Sequence, residues 1–396
     1  MNVVKERNRR LVPLEAYRGI AAFIVLIHHF FLGFLPFFTG YLENRRRPDS
    51  LIGQPFFVFF NGSGAVWFFF TLSGFVLSWS YFHHKDAEAL KLASIKRYPR
   101  LVLTVTVIVL CSYALFKFNG YAFYQAAQYS NSPWLAGFAY GGWKPGFQPD
   151  FFKALMQGLF TFFTGDASYN TNLWTMKPEL RGSMLVFLLA WVFVRIHSTG
   201  KRQLLFAVLL WFSVAHKQQL FPFIAGSILS FSIVRYYREI PLGAALLLIV
   251  TGGYLLGFVI PARAYSWATF IPEREARPLL NTIGSVCIIG GTMLNPKIFT
   301  ALSGNFYRFL GRISFPLYLV HILVLCSLSS ALYCHLIQQG IPLFYTLTAV
   351  FFLTVVISTG AALLLSRMDE WWVYLVNRFV AQHFGKKPHT EQRLAS

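Results

Sequence analysis

The chain of 396 residues is 56% hydrophobic and 18% aromatic, and only 13% of its residues are charged. Soluble domains carry about 25% charged residues, so this composition excludes a soluble globular protein and indicates an integral membrane protein in contact with a lipid bilayer. The formal net charge of +20 requires no nucleic-acid partner, because a cytoplasmic excess of lysine and arginine explains most of it and leaves room for an anionic cytosolic ligand.

Apolar segments long enough to cross a bilayer recur along the whole chain. They are long, unbroken runs, and they therefore predict helices as the spanning form. We expect an all-α, polytopic helical bundle with about ten transmembrane helices. The predicted spans are residues 11–38, 63–82, 101–118, 180–197, 203–220, 221–237, 241–260, 279–299, 313–335 and 342–366.

Loop charge and composition predict how the chain is organised. Most of the 35 lysines and arginines fall on one side if the N-terminus is cytoplasmic, which predicts a multi-pass protein with both termini in the cytoplasm. We expect one membrane domain over residues 1–385 and a disordered tail over 386–396.

The aromatic-rich outer segment 119–172 is either a lid or binding surface, or a plug over the helix ends. Within it, residues 151–165 are amphipathic and suit the membrane interface. The four cysteines lack metal-binding spacing, so we expect no metal.

Two polar side chains on one face interrupt the first apolar segment. Arg18 and His29 are eleven positions apart. Eleven steps of about 100° complete three turns to within about 20°, so the two side chains share a face. At a rise of about 1.5 Å per residue they lie about 16 Å apart along the axis. His28 points about 100° away from that face. A charge deep in a bilayer costs about 2.5–3.5 kcal/mol, so an intramembrane arginine indicates function. Because imidazole can accept and return a proton near neutral pH, His29 is a candidate general base; a structural histidine is the alternative.

A basic cluster precedes the third predicted span. It contains Lys96, Arg97 and Arg100, and arginine side chains fit phosphate groups in a fork geometry. Charge that only sets the membrane topology is the alternative. Ser73, at the end of the second span, is followed by Gly74, and this pair either faces the same ligand or permits close helix packing.

The segment Trp174–Ser183 carries charge at the head of an apolar helix. Pro178 fits the first turn of that helix. Glu179 would be placed to orient His29 or Arg18, or to steady a protonated imidazole, and Arg181 begins the same helix. An interfacial ion pair that helps the helix begin is the alternative.

The segment Arg312–His321 opens the ninth predicted span. Tyr318 and His321 are three positions apart and therefore share a helix face. They either line a site or form hydrogen bonds that only hold the bundle together.

Five short motifs, in their order along the chain, resemble those of the acyltransferase-3 family of integral membrane enzymes. The first is Arg18-x10-His29, and the signal comes from all five motifs in the correct order, since each alone is weak. The other four are Phe69 to Phe75 ("FFxLSGF"), Arg97-x-x-Arg100, Leu173 to Glu179 ("LWSLxxE") and Ile313 to His321 ("ISYxLYLxH"). The sequence PELRGS after the tryptophan motif is similar to fungal members, whereas many bacterial members have a second acidic residue where this chain has Leu180.

The resemblance implies an acyl-CoA-dependent O-acyltransferase, with acetyl-CoA as the expected co-substrate and a small hydroxylated molecule as the acceptor. It also implies roles for particular residues. The catalytic residues would be His29, Arg18 and Glu179; the cofactor-binding residues would be Arg97, Arg100, Lys96 and Ser73; and Arg181, Tyr318 and His321 would line the site.

The acceptor and the biological setting have several alternatives. The low charge and the aromatic outer segment favour an apolar natural product such as a terpenoid or polyketide, with O-acetylation of a cell-surface polysaccharide or sugar as the alternative. Intramembrane charges also occur in solute transporters and flippases, and an inactive acyltransferase-like scaffold has the same motifs. A fungal protein of this kind would lie in the endoplasmic reticulum membrane.

Overall fold

The computed structural model describes residues 11–138, 146–216 and 218–385. The tail predicted over 386–396 lies outside these residues. The described chain is helical and contains no strand. Its α-helices of eight or more residues are α1 (Val12–Phe34), α2 (Gly62–His84), α3 (Ala87–Lys117), α4 (Phe123–Ser130), α5 (Phe151–Thr164), α6 (Met176–Arg195), α7 (Thr199–His216), α8 (Phe221–Tyr236), α9 (Leu242–Leu256), α10 (Glu273–Leu294), α11 (Asn305–Gln338) and α12 (Leu343–Phe384).

The all-helical prediction is confirmed, whereas the count of ten spans is not. Every predicted span falls on a helix, but among the described residues five helices are long and apolar enough to cross a membrane, namely α1, α2, α3, α11 and α12. Helices α8 and α9 are apolar but shorter. The beginning of α6 carries Lys177, Glu179 and Arg181, and α10 begins with the charged sequence EREAR, so both have less continuous apolar length than the spans of a bilayer need.

Local sequence signals set the helix ends near the site. Helix α1 ends before Pro36, because the residue that precedes a proline disfavours helical backbone. The side chain of Asn61 caps α2 by accepting a hydrogen bond from the Gly64 amide at 3.0 Å, and Asp86 caps α3 through the amides of Glu88 and Ala89.

Helix α1 packs mainly against α11 and α2. A Cβ atom on Gly19 would overlap Leu310, and one on Gly311 would lie 2.5 Å from the Cβ of Glu15. These two glycines therefore let the backbones of α1 and α11 approach closely, as small residues do between membrane helices. The close approach brings the Arg18–His29 face of α1 beside the Ile313–His321 motif of α11.

The outer segment packs over the ends of α1 and α11. Its described part includes α4, the short helix Pro133–Ala136 and α5. Helix α11 contains a π-helical turn, Leu325–Ser329, and the carbonyl of Cys326 in that turn accepts a hydrogen bond from the Ala122 amide at 3.0 Å. The segment predicted as amphipathic is α5, which packs against α3.

Candidate active site

A cavity of about 630 Å³ lies between α1, α2, α3, α6, α11 and α12, at the end of the bundle where α1 begins. Its lining combines charged, hydroxyl and apolar side chains, and we call it the arginine cavity. The charged and hydroxyl-bearing residues of this lining are Arg18, Arg97, Arg100, Arg308, Arg312, Glu15, Glu179, Asp369, Glu370, Ser73, Thr175, Ser314 and Tyr318.

One wall of the arginine cavity is an ion pair between α3 and α6. The guanidinium of Arg97, which is 7% exposed, pairs with Glu179 and donates through Nε to the Ser183 hydroxyl at 2.9 Å. Ser73 Oγ donates to Glu179 Oε1 at 2.9 Å. Three of the sequence motifs therefore meet at this carboxylate, because α2, α3 and α6 each contribute one donor or acceptor.

A second ion pair closes the rim of the arginine cavity, and three other arginines line it without one. Arg312 and Glu370 pair at 2.7 Å, and Thr104 Oγ1 donates to Asp369 Oδ1 at 2.5 Å. Within the described part of the chain, none of the remaining lining arginines has a carboxylate oxygen within 4.0 Å. They are Arg18, Arg100 and Arg308. Of these three, Arg308 donates through Nη1 to Asn305 Oδ1 at 2.9 Å. Among the described residues the cavity thus presents guanidinium groups that no carboxylate pairs, which suits an anionic ligand.

A pair of histidines lies deeper in the bundle, where α1 meets α11. His29 Nδ1 is 2.9 Å from His321 Nε2, and the ring of Trp134 stacks on His29 with 5.0 Å between centroids and 13° between planes. His321 and Trp134 are buried, with 0% and 4% exposure. His29 is only partly buried. An imidazole held between a buried histidine and an aromatic ring has a fixed orientation, which suits proton transfer.

The segment between α5 and α6 connects the arginine cavity to the histidine pair. Thr175 and Tyr318 both line the cavity, and their hydroxyl oxygens are 3.0 Å apart. Asn172 Nδ2 donates to the Tyr318 carbonyl at 2.7 Å and lies 3.4 Å from His321 Nε2. The Tyr318 and His321 ring centroids are 6.3 Å apart. Tyr318, at the floor of the cavity, is therefore a direct neighbour of the His29–His321 pair.

The neighbouring His28 has a separate environment. Its Nδ1 is 2.8 Å from the Phe60 carbonyl oxygen, and its ring contacts Tyr41 with a centroid separation of 4.6 Å. It is 4% exposed and tethers α1 to the loop before α2. The helical register therefore gives the two adjacent histidines different hydrogen-bond partners, while their ring centroids lie 5.4 Å apart.

The structure brings most of the predicted site residues together. Arg18 lines the arginine cavity, whereas His29 is not in its lining and lies beyond the cavity floor. The other predicted residues in the lining are Arg97, Arg100, Ser73, Glu179 and Tyr318, and His321 contacts His29 directly.

Three expectations from the sequence differ from the geometry. Glu179 hydrogen-bonds Arg97 and Ser73 rather than His29, because α3 and not the outer half of α1 lies against the beginning of α6. Arg181 is exposed and outside the cavity lining, since it lies about 200° around α6 from Glu179. Lys96 is also outside the lining, because it precedes the buried Arg97 by one position.

Sequence reasoning missed several residues of this site. Asn172 lies one position before the tryptophan motif, and its polar side chain beside a membrane helix was the available signal. Trp134 and Arg308 carry no motif, and only the packing of the outer segment and of α11 identifies them.

Comparisons with known proteins agree with the motifs. The family model described as "Acyltransferase domain", the acyltransferase-3 model, matches residues 13–367. A curated relative is the O-acetyltransferase PaAT-1 of Phomopsis amygdali, which is 24% identical over 384 residues, covering 81% of this chain and 73% of that protein. No solved structure matches the chain significantly.

Proposed function

The chain belongs to the acyltransferase-3 family, as its motifs predict, and we propose that it moves an acetyl group from acetyl-CoA to a hydroxyl of a small natural product such as a terpenoid or polyketide. His29 is the proposed general base. The observation that carries this proposal is a column of side chains in contact, which leads from the arginine cavity through Tyr318 and His321 to His29. The column offers an anion site at one end and a base at the other.

The donor is proposed to bind in the arginine cavity. Acyl-CoA carries a diphosphate and a 3′-phosphate, and guanidinium groups bind phosphates through paired hydrogen bonds. Arg18, Arg100 and Arg308 supply these groups, while Glu179 neutralises Arg97 and holds it in the wall. With the N-terminus cytoplasmic, as the positive-inside pattern predicts, the cavity would open to cytosolic acyl-CoA.

The distance between Arg18 and His29 separates binding from chemistry. They lie about 16 Å apart along α1, so Arg18 cannot touch a carbonyl that reacts at His29. We therefore assign Arg18 to the donor phosphates. The pantetheine arm would extend from the cavity towards His29, past the floor formed by Tyr318 and Thr175.

The proposed chemistry is a single acyl transfer. His29 accepts the proton of the acceptor hydroxyl, and the hydroxyl oxygen forms a bond to the thioester carbonyl carbon. The carbon–sulfur bond then breaks, and the departing thiolate takes the proton from His29. The products are the ester and free CoA, and the base returns to its starting state.

The apolar surfaces of the protein support the proposed class of acceptor. A second cavity, of about 640 Å³, lies beside α1, α9, α10 and the loop before α2, and its lining is almost entirely apolar. Such a cleft suits a membrane-soluble acceptor better than a sugar, whose hydroxyls need many polar partners. The relative named an O-acetyltransferase supports acetyl as the transferred group.

Thiol release from acetyl-CoA by the detergent-purified protein tests the proposal. The wild type is compared with His29→Ala and with the adjacent control His28→Ala, each with a panel of hydroxylated terpenoids, polyketides and sugars. We expect release that needs His29, persists in His28→Ala and rises with terpenoids or polyketides. Full release by folded His29→Ala contradicts the role of His29. Release stimulated only by sugars contradicts the proposed acceptor, and no release by the folded wild type favours transport.

A further inference from the structure

We infer that His321 is a positioning residue for His29. Its Nε2 lone pair accepts the Nδ1–H of His29, which leaves Nε2 of His29 free to accept a proton. This inference rests on the proposed function, in which His29 is the general base, and it adds the group that sets the tautomer and the orientation of that base.

The tautomer of His321 follows from its contact with its own helix. His321 Nδ1 is 2.9 Å from the carbonyl oxygen of Leu317. A carbonyl oxygen only accepts hydrogen bonds, so Nδ1 must carry a proton. In a neutral imidazole the other nitrogen then has the lone pair, and Nε2 of His321 is therefore an acceptor.

Two donors converge on that acceptor. The first is His29 Nδ1, at 2.9 Å. The second is the Asn172 amide nitrogen, at 3.4 Å, and its identity as nitrogen is fixed by its 2.7 Å hydrogen bond to the Tyr318 carbonyl. Because His29 donates through Nδ1, its own proton-free nitrogen in the neutral state is Nε2.

The surroundings favour neutral rings in the resting protein. The described contacts of the two imidazoles are the Leu317 carbonyl, the Asn172 amide and the rings of neighbouring aromatic and histidine residues, and none is a carboxylate. An isolated charge at such a depth is costly. When His29 accepts a proton in the reaction, its Nδ1–H still donates to His321, and this hydrogen bond becomes charge-assisted and stronger. His321 thus stabilises the protonated base without carrying a carboxylate charge.

Two contacts together fix the plane of the base. Trp134 stacks on one face of His29, and the hydrogen bond to His321 sets the rotation of the ring within that plane. Without the second contact the ring can rotate and exchange tautomers, so that Nε2 points at the acceptor hydroxyl for only part of the time. This geometry is the general arrangement in which a base is oriented by a third group.

The test compares His321→Leu with His321→Gln in the full-length protein. Leucine has similar bulk and no acceptor, whereas the Oε1 of glutamine can occupy the position of Nε2 and accept from His29. An oriented base contributes about 10²–10⁴-fold to a rate, so we expect His321→Leu to lower kcat about 100-fold and to leave the KM for acetyl-CoA within about threefold. His321→Gln should recover at least about tenfold of that loss. Equal losses in both variants, or a rise in KM alone, overturn the inference.

A spectroscopic measurement on the wild type tests the tautomer directly. Nitrogen-15 NMR of histidine-labelled protein, with His29 assigned by comparison with His29→Ala, should show a protonated Nδ1 and a bare Nε2. A protonated Nε2 on neutral His29 overturns the inference, and this readout does not depend on how well the His321 variants fold.

His29→Ala separates failure of the inference from failure of the proposed function. If folded His29→Ala retains transfer, His29 is not the base and the proposed function is wrong. If His29→Ala is inactive while His321→Leu keeps its full kcat, His29 remains the general base and the role assigned to His321 is wrong.

Discussion

Arg97 and Glu179 form an ion pair between α3 and α6, with side-chain exposures of 8% and 14%. Ser73 and Ser183 complete the hydrogen bonds of the two charged groups. The pairing neutralises Arg97, the most buried arginine of the cavity, whereas Arg18, Arg100 and Arg308 have no carboxylate within 4.0 Å among the described residues. One arginine thus has a structural role and the others are available to a ligand, and the first two predictions test these two roles.

Replacing only one partner of the Arg97–Glu179 ion pair should destabilise the protein more than replacing both partners with apolar residues. Arg97→Met leaves a poorly compensated carboxylate inside the bundle and should lower the free energy of unfolding by about 3–5 kcal/mol. The double variant Arg97→Met/Glu179→Leu replaces both charges with apolar groups and should recover most of that stability. The measurement is the thermal midpoint in detergent. Equal destabilisation of the single and double variants would show that the pair has no such role.

Arg100 should contribute more to donor binding than Lys96. Arg100 lines the cavity and forms no ion pair with any carboxylate of the described ranges, whereas Lys96 is outside the lining. A hydrogen bond to a charged group contributes about 1.5–3 kcal/mol, so Arg100→Gln should raise the KM for acetyl-CoA by about tenfold or more. Lys96→Gln removes the same charge and serves as the matched control, with a change of less than about twofold. Thiol-release kinetics at constant ionic strength check the prediction, and equal effects would place the donor phosphates elsewhere.

Trp134 should support the rate through its stacking on His29. Trp134→Phe keeps an aromatic face and should retain most of the kcat. Trp134→Ala removes an interaction of about 0.5–1.5 kcal/mol beyond burial and should lower kcat by about tenfold. The rates are normalised to the folded fraction, and Trp371→Ala, at a tryptophan that is 58% exposed, is the control. Unchanged kcat in Trp134→Ala would mean that His321 alone suffices to orient the base.

Gly74 should be required for the packing of α2 against α8. An added Cβ at Gly74 would overlap the Phe223 carbonyl oxygen, and the reciprocal contact joins Gly226 to the Thr71 carbonyl. Gly74→Ala should therefore lower stability by about 1–3 kcal/mol or more.

Gly360→Ala provides the matched control for that prediction. It lies within α12 with no atom within 4 Å of the added methyl group, so the higher helix propensity of alanine should stabilise the protein by up to about 1 kcal/mol. Thermal midpoints of the two variants check both effects. A stable Gly74→Ala protein would contradict the close helix contact.

The membrane class, the helical architecture and the family could be predicted from the sequence. Composition and unbroken apolar runs are one-dimensional signals, and the motif order along the chain is another. The register of Arg18 and His29 on one face of α1 also follows from the helix period alone. The number of spans could not be derived in this way, because charged beginnings make α6 and α10 ambiguous between spanning and buried helices.

The contacts that define the site depend on tertiary structure. His29 and His321 are 292 positions apart, and Glu179 is 82 positions from Arg97. A helix period states which residues share a face, but not which helix that face will meet. That choice depends on close backbone approach at positions such as Gly19 and Gly311, and on the fit of many side chains at once. The sequence by itself therefore determined the helices and the candidate residues, whereas the packing of α1 against α11, and of α3 against α6, decided that His321 rather than Glu179 is the partner of His29.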